Sequence, residues 1–215
     1  MADTLPLHPL DLYADALRCD LPQLSLGYPD GRRLPLELNR WRGTADEADE
    51  ELLDHCRGPA LDVGCGPGRL VIALTRRSIP ALGIDVAPAA VGLATAAGAA
   101  ALRASVFDPL PDEGRWETVI LADGNIGIGG NPPALLRRVR RLLAPGGVLL
   151  LEAEAGDIYI REREVWLEDG TGRRSNPFPW AHAGTTAARV IALRAGYRLR
   201  HAWSAGGRHF LALIR

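Results

Sequence analysis

A chain of 215 residues is long enough for one sizeable core, and no change of composition along it marks two halves. Its 47% hydrophobic and 24% charged residues are those of an ordinary globular protein, which argues against a disordered, fibrous or membrane chain. With 25 basic residues against 26 acidic ones the formal charge is -1, so no global field draws the chain to nucleic acid or to anionic lipid.

The first twelve residues carry Asp3, His8, Pro6 and Pro9 and lack the basic start and apolar run of a signal peptide. No stretch approaches the roughly 20 uninterrupted apolar residues that span a bilayer. The expected location is cytoplasmic. Cys19, Cys56 and Cys65 are odd in number and contain no CxxC pair, so the sequence predicts reduced thiols, no disulfide framework and no metal site.

Residues 10–41 are rich in leucine, proline and single aromatics. Thr44 and Glu47 then form a capping box, and Ala48, Leu52, Leu53 and Cys56 give one apolar face to an acidic helix that ends near Gly58. Residues 59–63 read as a buried strand, 69–77 as a helix and 81–85 as a second strand, which makes one βαβ unit. A helix over 88–97, opened by proline, leads to a third strand over 101–107. A fourth strand follows over 117–122, then a helix over 133–143 stopped by Pro145-Gly146-Gly147, then a fifth strand over 148–153.

The pattern changes after that. Residues 158–167 alternate, and Asp169-Gly170-Thr171-Gly172 predicts a hairpin turn within an insertion of about 156–183. A helix over 185–195 ends at Gly196, and residues 197–204 and 208–214 flank Gly206-Gly207 as two antiparallel strands. The expected fold is α/β: a Rossmann-like, doubly wound, seven-stranded and mostly parallel sheet. It should carry a C-terminal antiparallel hairpin and a small β-hairpin insertion after the fifth strand. The alanine-rich patch over 87–101 reads as a small-residue packing surface.

Leu61-Asp62-Val63-Gly64-Cys65-Gly66-Pro67-Gly68-Arg69 places glycines between a strand and a helix. Glycine at 64 and 66 allows a sharp turn and close approach of a ligand to the main chain, and the helix start offers free N–H donors. A dinucleotide fingerprint needs its third glycine at position 69, which is Arg69. Asp85, ending the second strand, suits ribose hydroxyls of any nucleoside, and Asp108, after the third, can accept from an exocyclic amine. Asp62 adds negative charge, which favours a ligand bearing ammonium and sulfonium groups over one bearing a pyrophosphate.

LDVGCGPGRL, GIDVAP, the Asp108 position and LLAPGGVLLLE together resemble the successive motifs of the class I methyltransferases that use S-adenosylmethionine (SAM). The resemblance covers residues 60–151 by motif and extends to residue 215 by topology. It implies SAM as cofactor, with Gly64 and Gly66 along its methionine part, Asp85 on the ribose and Val106, Phe107 and Asp108 beside the adenine. Asp62, Cys65, Val86, Asp123 and Gly124 complete the cofactor set that it implies. It also implies a methyltransferase domain over 44–215, preceded by a lid or cap segment over 1–43 with Tyr13, Tyr28 and Trp41 as candidate acceptor-side residues.

Methyl transfer from sulfonium is an in-line displacement with a good leaving group, so alignment can outweigh side-chain chemistry and no base is obligatory. Asp123 and Asn125, after the fourth strand, either place the methionine end and the acceptor or form the turn before Gly127, Gly129 and Gly130. In the insertion, Tyr159, Arg161, Arg163, Trp166 and Trp180 can wall off the acceptor, Trp180 otherwise packing in the core. His182 is the candidate proton acceptor, or else a hydrogen-bonded surface histidine. Asn131-Pro132-Pro133 reads as a helix N-terminus. Arg137, Arg138, Arg140 and Arg141 read as a solvated helix face.

The expected activity is methylation of a small molecule on oxygen, nitrogen or carbon, with no nucleic-acid or membrane partner and with monomer or homodimer left open. An NAD-dependent oxidoreductase on the same scaffold and a non-catalytic SAM-binding protein are the alternatives.

Overall fold

A computed structural model describes residues 7–18, 23–157 and 159–215, with the backbone alone for 159–163. Helix α1 (Pro9–Arg18) is followed by strands β1 (Leu24–Gly27) and β2 (Arg33–Pro35) and a short helix α2 (Leu38–Arg42). Helix α3 (Glu47–Asp54) opens on a capping box, but its partners are Asp46 and Asp49, not Thr44 and Glu47. An aspartate carboxylate reaches the N–H donors of the first turn as well as a hydroxyl does, and the apolar face predicted for this helix is kept: Ala48, Leu52 and Leu53 are buried.

The alternating units then follow: β3 (Ala60–Val63), α4 (Arg69–Arg76), β4 (Ala81–Asp85), α5 (Pro88–Ala96), β5 (Ala101–Arg103) and β6 (Trp116–Leu121). A glycine-rich 3-10 segment (Asn125–Gly130) leads into α6 (Pro132–Leu142) and β7 (Leu143–Ala153). After these come β8 (Tyr159–Asp169), β9 (Phe178–Ala183), α7 (Thr185–Arg194), β10 (Arg198–Ala205) and β11 (Arg208–Ile214). The main sheet has seven strands in the order β10-β11-β7-β6-β3-β4-β5. Strands β7, β6, β3, β4 and β5 run parallel, and β11 enters antiparallel between β7 and β10. The third strand stops at Arg103, short of the predicted end.

Side-chain alternation explains why helices cover both faces. Leu61, Val119, Leu121, Leu149 and Leu151 pack against α6 and α7, while Ala60, Ile120, Leu150 and Phe210 pack against α3 and α4. The alanine-rich patch is a packing surface: a Cβ on Gly68 would stand 2.9 Å from the Cβ of Ala94 and 3.0 Å from that of Ala99. One predicted solvent-facing residue is not so placed. Arg138 is buried and donates to the carbonyls of Val106 (2.8 Å) and Asp108 (2.6 Å), with Glu113 balancing its charge.

The insertion is more than a hairpin. Strands β8 and β9 join β1 and β2 in a four-stranded antiparallel sheet, β2-β1-β8-β9, in which Leu26 faces Leu167 and Ser25 faces Glu168 across the ladder. Leu12 and Leu17 of α1, Leu24 and Leu26 of β1 and Val165 and Leu167 of β8 form its own buried cluster. No helix among the described residues is long and apolar enough to cross a membrane, and no cluster of potential metal ligands occurs among them.

Candidate active site

The loop between β3 and α4 folds as it does because of its glycines. Gly64 and Gly66 have φ of +74° and +53°, in the left-handed region where side chains other than glycine are strained. A Cβ on Gly64 would stand 2.6 Å from Nδ2 of Asn125. That amide donates to the carbonyls of Val63 (2.9 Å) and Gly64 (3.0 Å), so Asn125 ties the end of β6 to the loop. From β4, Asp85 accepts from the N–H of Gly66 (3.0 Å) and from that of Ala87 (2.8 Å), one bond to each carboxylate oxygen. Each oxygen keeps a second lone pair. Above the loop lies Tyr13 of α1, whose hydroxyl would be 3.6 Å from a Cβ on Gly66.

The loop is surrounded by acid. Burial, reinforced by the charges of Asp123 and Asp85, pushes the Asp62 carboxyl up to about 8. Burial raises Asp85 as well, and the Tyr13 phenol is pushed up by burial and by Asp85, Cys65 and Asp123. Asp123 adopts φ +54° and meets Arg40 at 2.8 Å and Arg69 at 2.6 Å. Arg69 also pairs with Asp49, whose other oxygen takes Arg208 at 2.7 Å, and Arg208 returns to Glu152. Glu152 accepts from the Asp123 N–H at 2.7 Å, closing a network that spans α2, α3, α4, β7 and β11. Trp41 Nε1 is buried beside this network with no hydrogen-bond partner among the described residues.

A cavity of about 560 Å³ runs from Gly64, Gly66 and Asp85 to an apolar chamber under the second sheet, a volume within the roughly 300–1,000 Å³ range of ligand sites. Its far walls are Leu26, Leu36, Leu167, Phe178 and Trp180. The glycines of Asn125–Gly130 carry β9: a Cβ on Gly127 would stand 2.3 Å from the Ala181 carbonyl and 2.6 Å from the Trp180 ring. At the end of β9, His182 Nε2 is 2.7 Å from the Tyr28 hydroxyl and Nδ1 bonds to Glu154.

The sequence-predicted residues separate accordingly. Gly64, Gly66, Asp85, Val86, Asp123, Gly124, Asn125, Trp41, Trp180 and His182 all line the cavity. Asp62 and Cys65 lie behind the loop in a smaller recess, and the Cys65 side chain packs against Gly83, leaving its backbone toward the ligand side. After β5 the lining residues are Ala104, Ser105 and Val106. Phe107 is exposed, touching Gly129, and the Asp108 carboxylate accepts from the Ser105 N–H at 3.1 Å within its own turn. Tyr28 reaches the site through His182. The side chains of Tyr159, Arg161 and Arg163, and all of Cys19, lie outside the described residues. Glu154 was not singled out by sequence; its signal is an acid directly after the buried run of β7.

The donor set suits a nucleoside that carries positive charge. Three acidic side chains converge on a glycine cradle, Asp123 paired with Arg40 and Arg69 and Asp62 without a cationic partner and so protonated up to about 8, and an orphan indole N–H faces the same end. A pyrophosphate would meet repulsion there. A doubly wound sheet with β11 reversed beside β7 and such a loop at the carboxyl end of β3 defines a Rossmann-like transferase of the SAM-dependent class.

The comparisons agree. Residues 38–200 match the family model described as a methyltransferase domain, so the chain belongs to the methyltransferase domain family, and it is a SAM-dependent methyltransferase. Among solved structures it is similar to a SAM-dependent methyltransferase from Bacteroides fragilis in complex with S-adenosylhomocysteine, with TM-score 0.77, 19% identity and coverage of 96% of this chain and 94% of that one. It is also similar to 1,6-didemethyltoxoflavin-N1-methyltransferase from Burkholderia thailandensis, with bound 1,6-didemethyltoxoflavin and S-adenosylhomocysteine, at TM-score 0.56, 18% identity and coverage of 99% and 92%. The CcbJ methyltransferase from Streptomyces caelestis resembles it at TM-score 0.59 and 15% identity, over 81% and 91%. At these identities the likeness is one of fold. A search of curated protein sequences returns no match.

Proposed function

We propose that the protein methylates a small-molecule acceptor held in the apolar chamber. The observation that carries this reading is the single cavity that joins the glycine loop to that chamber, bringing Asp85 and His182 onto one wall system. S-adenosylmethionine supplies an electrophilic methyl group on a sulfonium. On the cofactor side, Gly64, Cys65 and Gly66 offer backbone, Asp85 takes ribose hydroxyls on its spare lone pairs, and Val86 lies beside the base pocket. Residues 104–108 border that pocket, with Phe107 and Asp108 at its rim. Asp62, Asp123 and Gly124 surround the amino-acid end, and Trp41 Nε1 supplies an unpaired donor to its carboxylate.

On the acceptor side Trp180 forms the wall, Asn125 fixes the floor, and His182 is the catalytic candidate, with Tyr28 behind it as an acceptor-side residue. The segment 1–43 together with 156–183 acts as the cap, and 44–215 as the transferase domain. That the Burkholderia neighbour holds 1,6-didemethyltoxoflavin supports the small-molecule reading.

The test is calorimetric titration of the purified protein with SAM, S-adenosylhomocysteine and NAD in parallel, followed by an acceptor screen with labelled SAM. We expect micromolar binding of the first two and none of NAD, then label transfer to a small molecule. Transfer only to protein or nucleic acid would overturn the acceptor class; failure of every acceptor would favour a non-catalytic binder.

A further inference from the structure

The chamber has an uneven charge inventory. The acidic residues that line the cavity are Asp85, Asp123 and Glu154, and no arginine lines it among the described residues. The chain contains no lysine at all, so arginines are its only fixed side-chain cations. Arg40, Arg69 and Arg208 are all committed to the carboxylates of Asp49, Asp123 and Glu152. An acceptor bearing a carboxylate or phosphate would therefore exchange its hydration for an apolar wall and like charge.

Glu154 and His182 line the chamber and Tyr28 stands behind His182, a chain of three polar groups drawn from three separate segments. Glu154 follows β7, His182 ends β9 and Tyr28 follows β1. Glu154 bonds to Nδ1 of His182, and Nε2 of the same ring meets the Tyr28 hydroxyl at 2.7 Å. The order fixes the tautomer. A carboxylate accepts only, so Nδ1 carries a proton, and in the neutral ring Nε2 presents a lone pair, which the Tyr28 O–H fills. His182 is 8% exposed and Tyr28 3%, so the relay is shielded from bulk water, while the Glu154 side chain retains 42% exposure. The groups that face His182 among the described residues are these two, with the Arg32 guanidinium 4.7 Å from the centre of the Tyr28 ring.

We propose that Glu154 is a positioning residue that holds His182 as a base, and that the acceptor this base serves is an uncharged, largely apolar molecule methylated on a hydroxyl oxygen. This rests on the methyltransferase reading above. A free amine attacks through its own lone pair and needs no base in the transition state, whereas a hydroxyl must release a proton as its oxygen gains carbon. The acceptor oxygen forms the new O–CH₃ bond as the S–CH₃ bond breaks with its electron pair retained on sulfur. The O–H proton passes to His182 Nε2, whose lone pair the Tyr28 hydroxyl gives up as the acceptor binds. The products are a neutral methyl ether, a neutral thioether and an imidazolium held against the Glu154 carboxylate, so the positive charge of the sulfonium reappears on His182.

The experiment uses the full chain saturated with S-adenosylhomocysteine and three probes of one skeleton: 7-hydroxycoumarin, 7-hydroxycoumarin-3-carboxylate and 7-aminocoumarin. We expect 7-hydroxycoumarin to bind at least about tenfold more tightly than either relative, which corresponds to about 1.4 kcal/mol. Its phenolate is seen by absorption, and because the proton passed to His182 leaves the phenolate paired with an imidazolium, its ionisation midpoint should fall by about one pH unit on binding against the opposing pull of the apolar wall. Glu154→Gln should abolish that fall while leaving S-adenosylhomocysteine affinity within about twofold, and Glu154→Asp should restore part of it. Equal or tighter binding of the carboxylate probe, or of the amine, would overturn the acceptor class. An unchanged ionisation midpoint in Glu154→Gln would overturn the positioning role. Failure of S-adenosylhomocysteine itself to bind would be recognisable as failure of the methyltransferase reading, and the inference would fall with it.

Discussion

The two ends of the cavity are built by opposite means. The proposed cofactor end is assembled from short-range devices: a glycine loop with left-handed φ, a carboxylate at the end of β4, and an amide that pins one loop to the next. The acceptor end is assembled from pieces far apart in the chain. There Tyr28 is 154 residues from the histidine that it touches, and β1 pairs with β8. Local geometry demands particular residue types at fixed spacing, whereas antiparallel pairing of distant strands demands only that two apolar faces match. The cofactor end is accordingly general to the fold and the acceptor end particular to this chain.

The largest effect expected from breaking one end alone is at Gly66. Valine there must adopt φ near +53°, at a strain of about 1–3 kcal/mol, and its branches would fill the space under Tyr13. We expect S-adenosylhomocysteine affinity to fall by more than about 100-fold, with circular dichroism unchanged. Wild-type affinity in Gly66→Val would move the cofactor off this loop.

The matching disruption at the other end is Gly127→Val. Its Cβ would collide with the Ala181 carbonyl and the Trp180 ring, so β9 must lift and take Trp180 and His182 with it. Overpacking of about 1–3 kcal/mol should lower the melting temperature by roughly 3–9 °C. Cofactor affinity should stay within about threefold while 7-hydroxycoumarin binding is lost. If both ligands weaken together, the two ends are one cooperative unit and the contrast drawn above fails.

The same contrast governs what was legible in the sequence. The seven-stranded sheet, its reversed β11, the glycine loop and Asp85 were all readable, because each is announced by periodicity or by glycine at a set distance. The hairpin over β8 and β9 was readable from its Asp-Gly turn, but its pairing with β1 was not, since β1 is four residues with nothing to name its partner. Glu154 was invisible for a related reason: its meaning comes from His182, and no spacing links them. Arg138 was misread because a helix with several arginines looks uniformly solvated, although one of them turns inward to satisfy the carbonyls that the short β5 leaves unpaired. Capping was assigned to Thr44 because a hydroxyl followed by Glu47 fits the usual pattern; Asp46 two residues on fits equally well and is the one in place.

A subtler difference between the ends lies in their response to pH. Asp62 is fully buried at the cofactor end, and its carboxyl is raised to about 8 against 3.8 for the free side chain. Between these values the folded chain binds a proton that the unfolded chain has released, so the ligand-free protein should lose stability as pH rises from about 4 to 8. Above that window Asp62 is ionised and uncompensated until a cation arrives. S-adenosylmethionine carries a sulfonium that S-adenosylhomocysteine lacks, so the ratio of their affinities should favour S-adenosylmethionine by several-fold more at pH 9 than at pH 6. Paired calorimetric titrations at the two pH values measure that ratio directly. Asp62→Asn, which cannot ionise, should flatten it, with both ligands still bound. A ratio that rises with pH equally in wild type and in Asp62→Asn would assign the charge sensing to Asp85, whose carboxyl burial also raises.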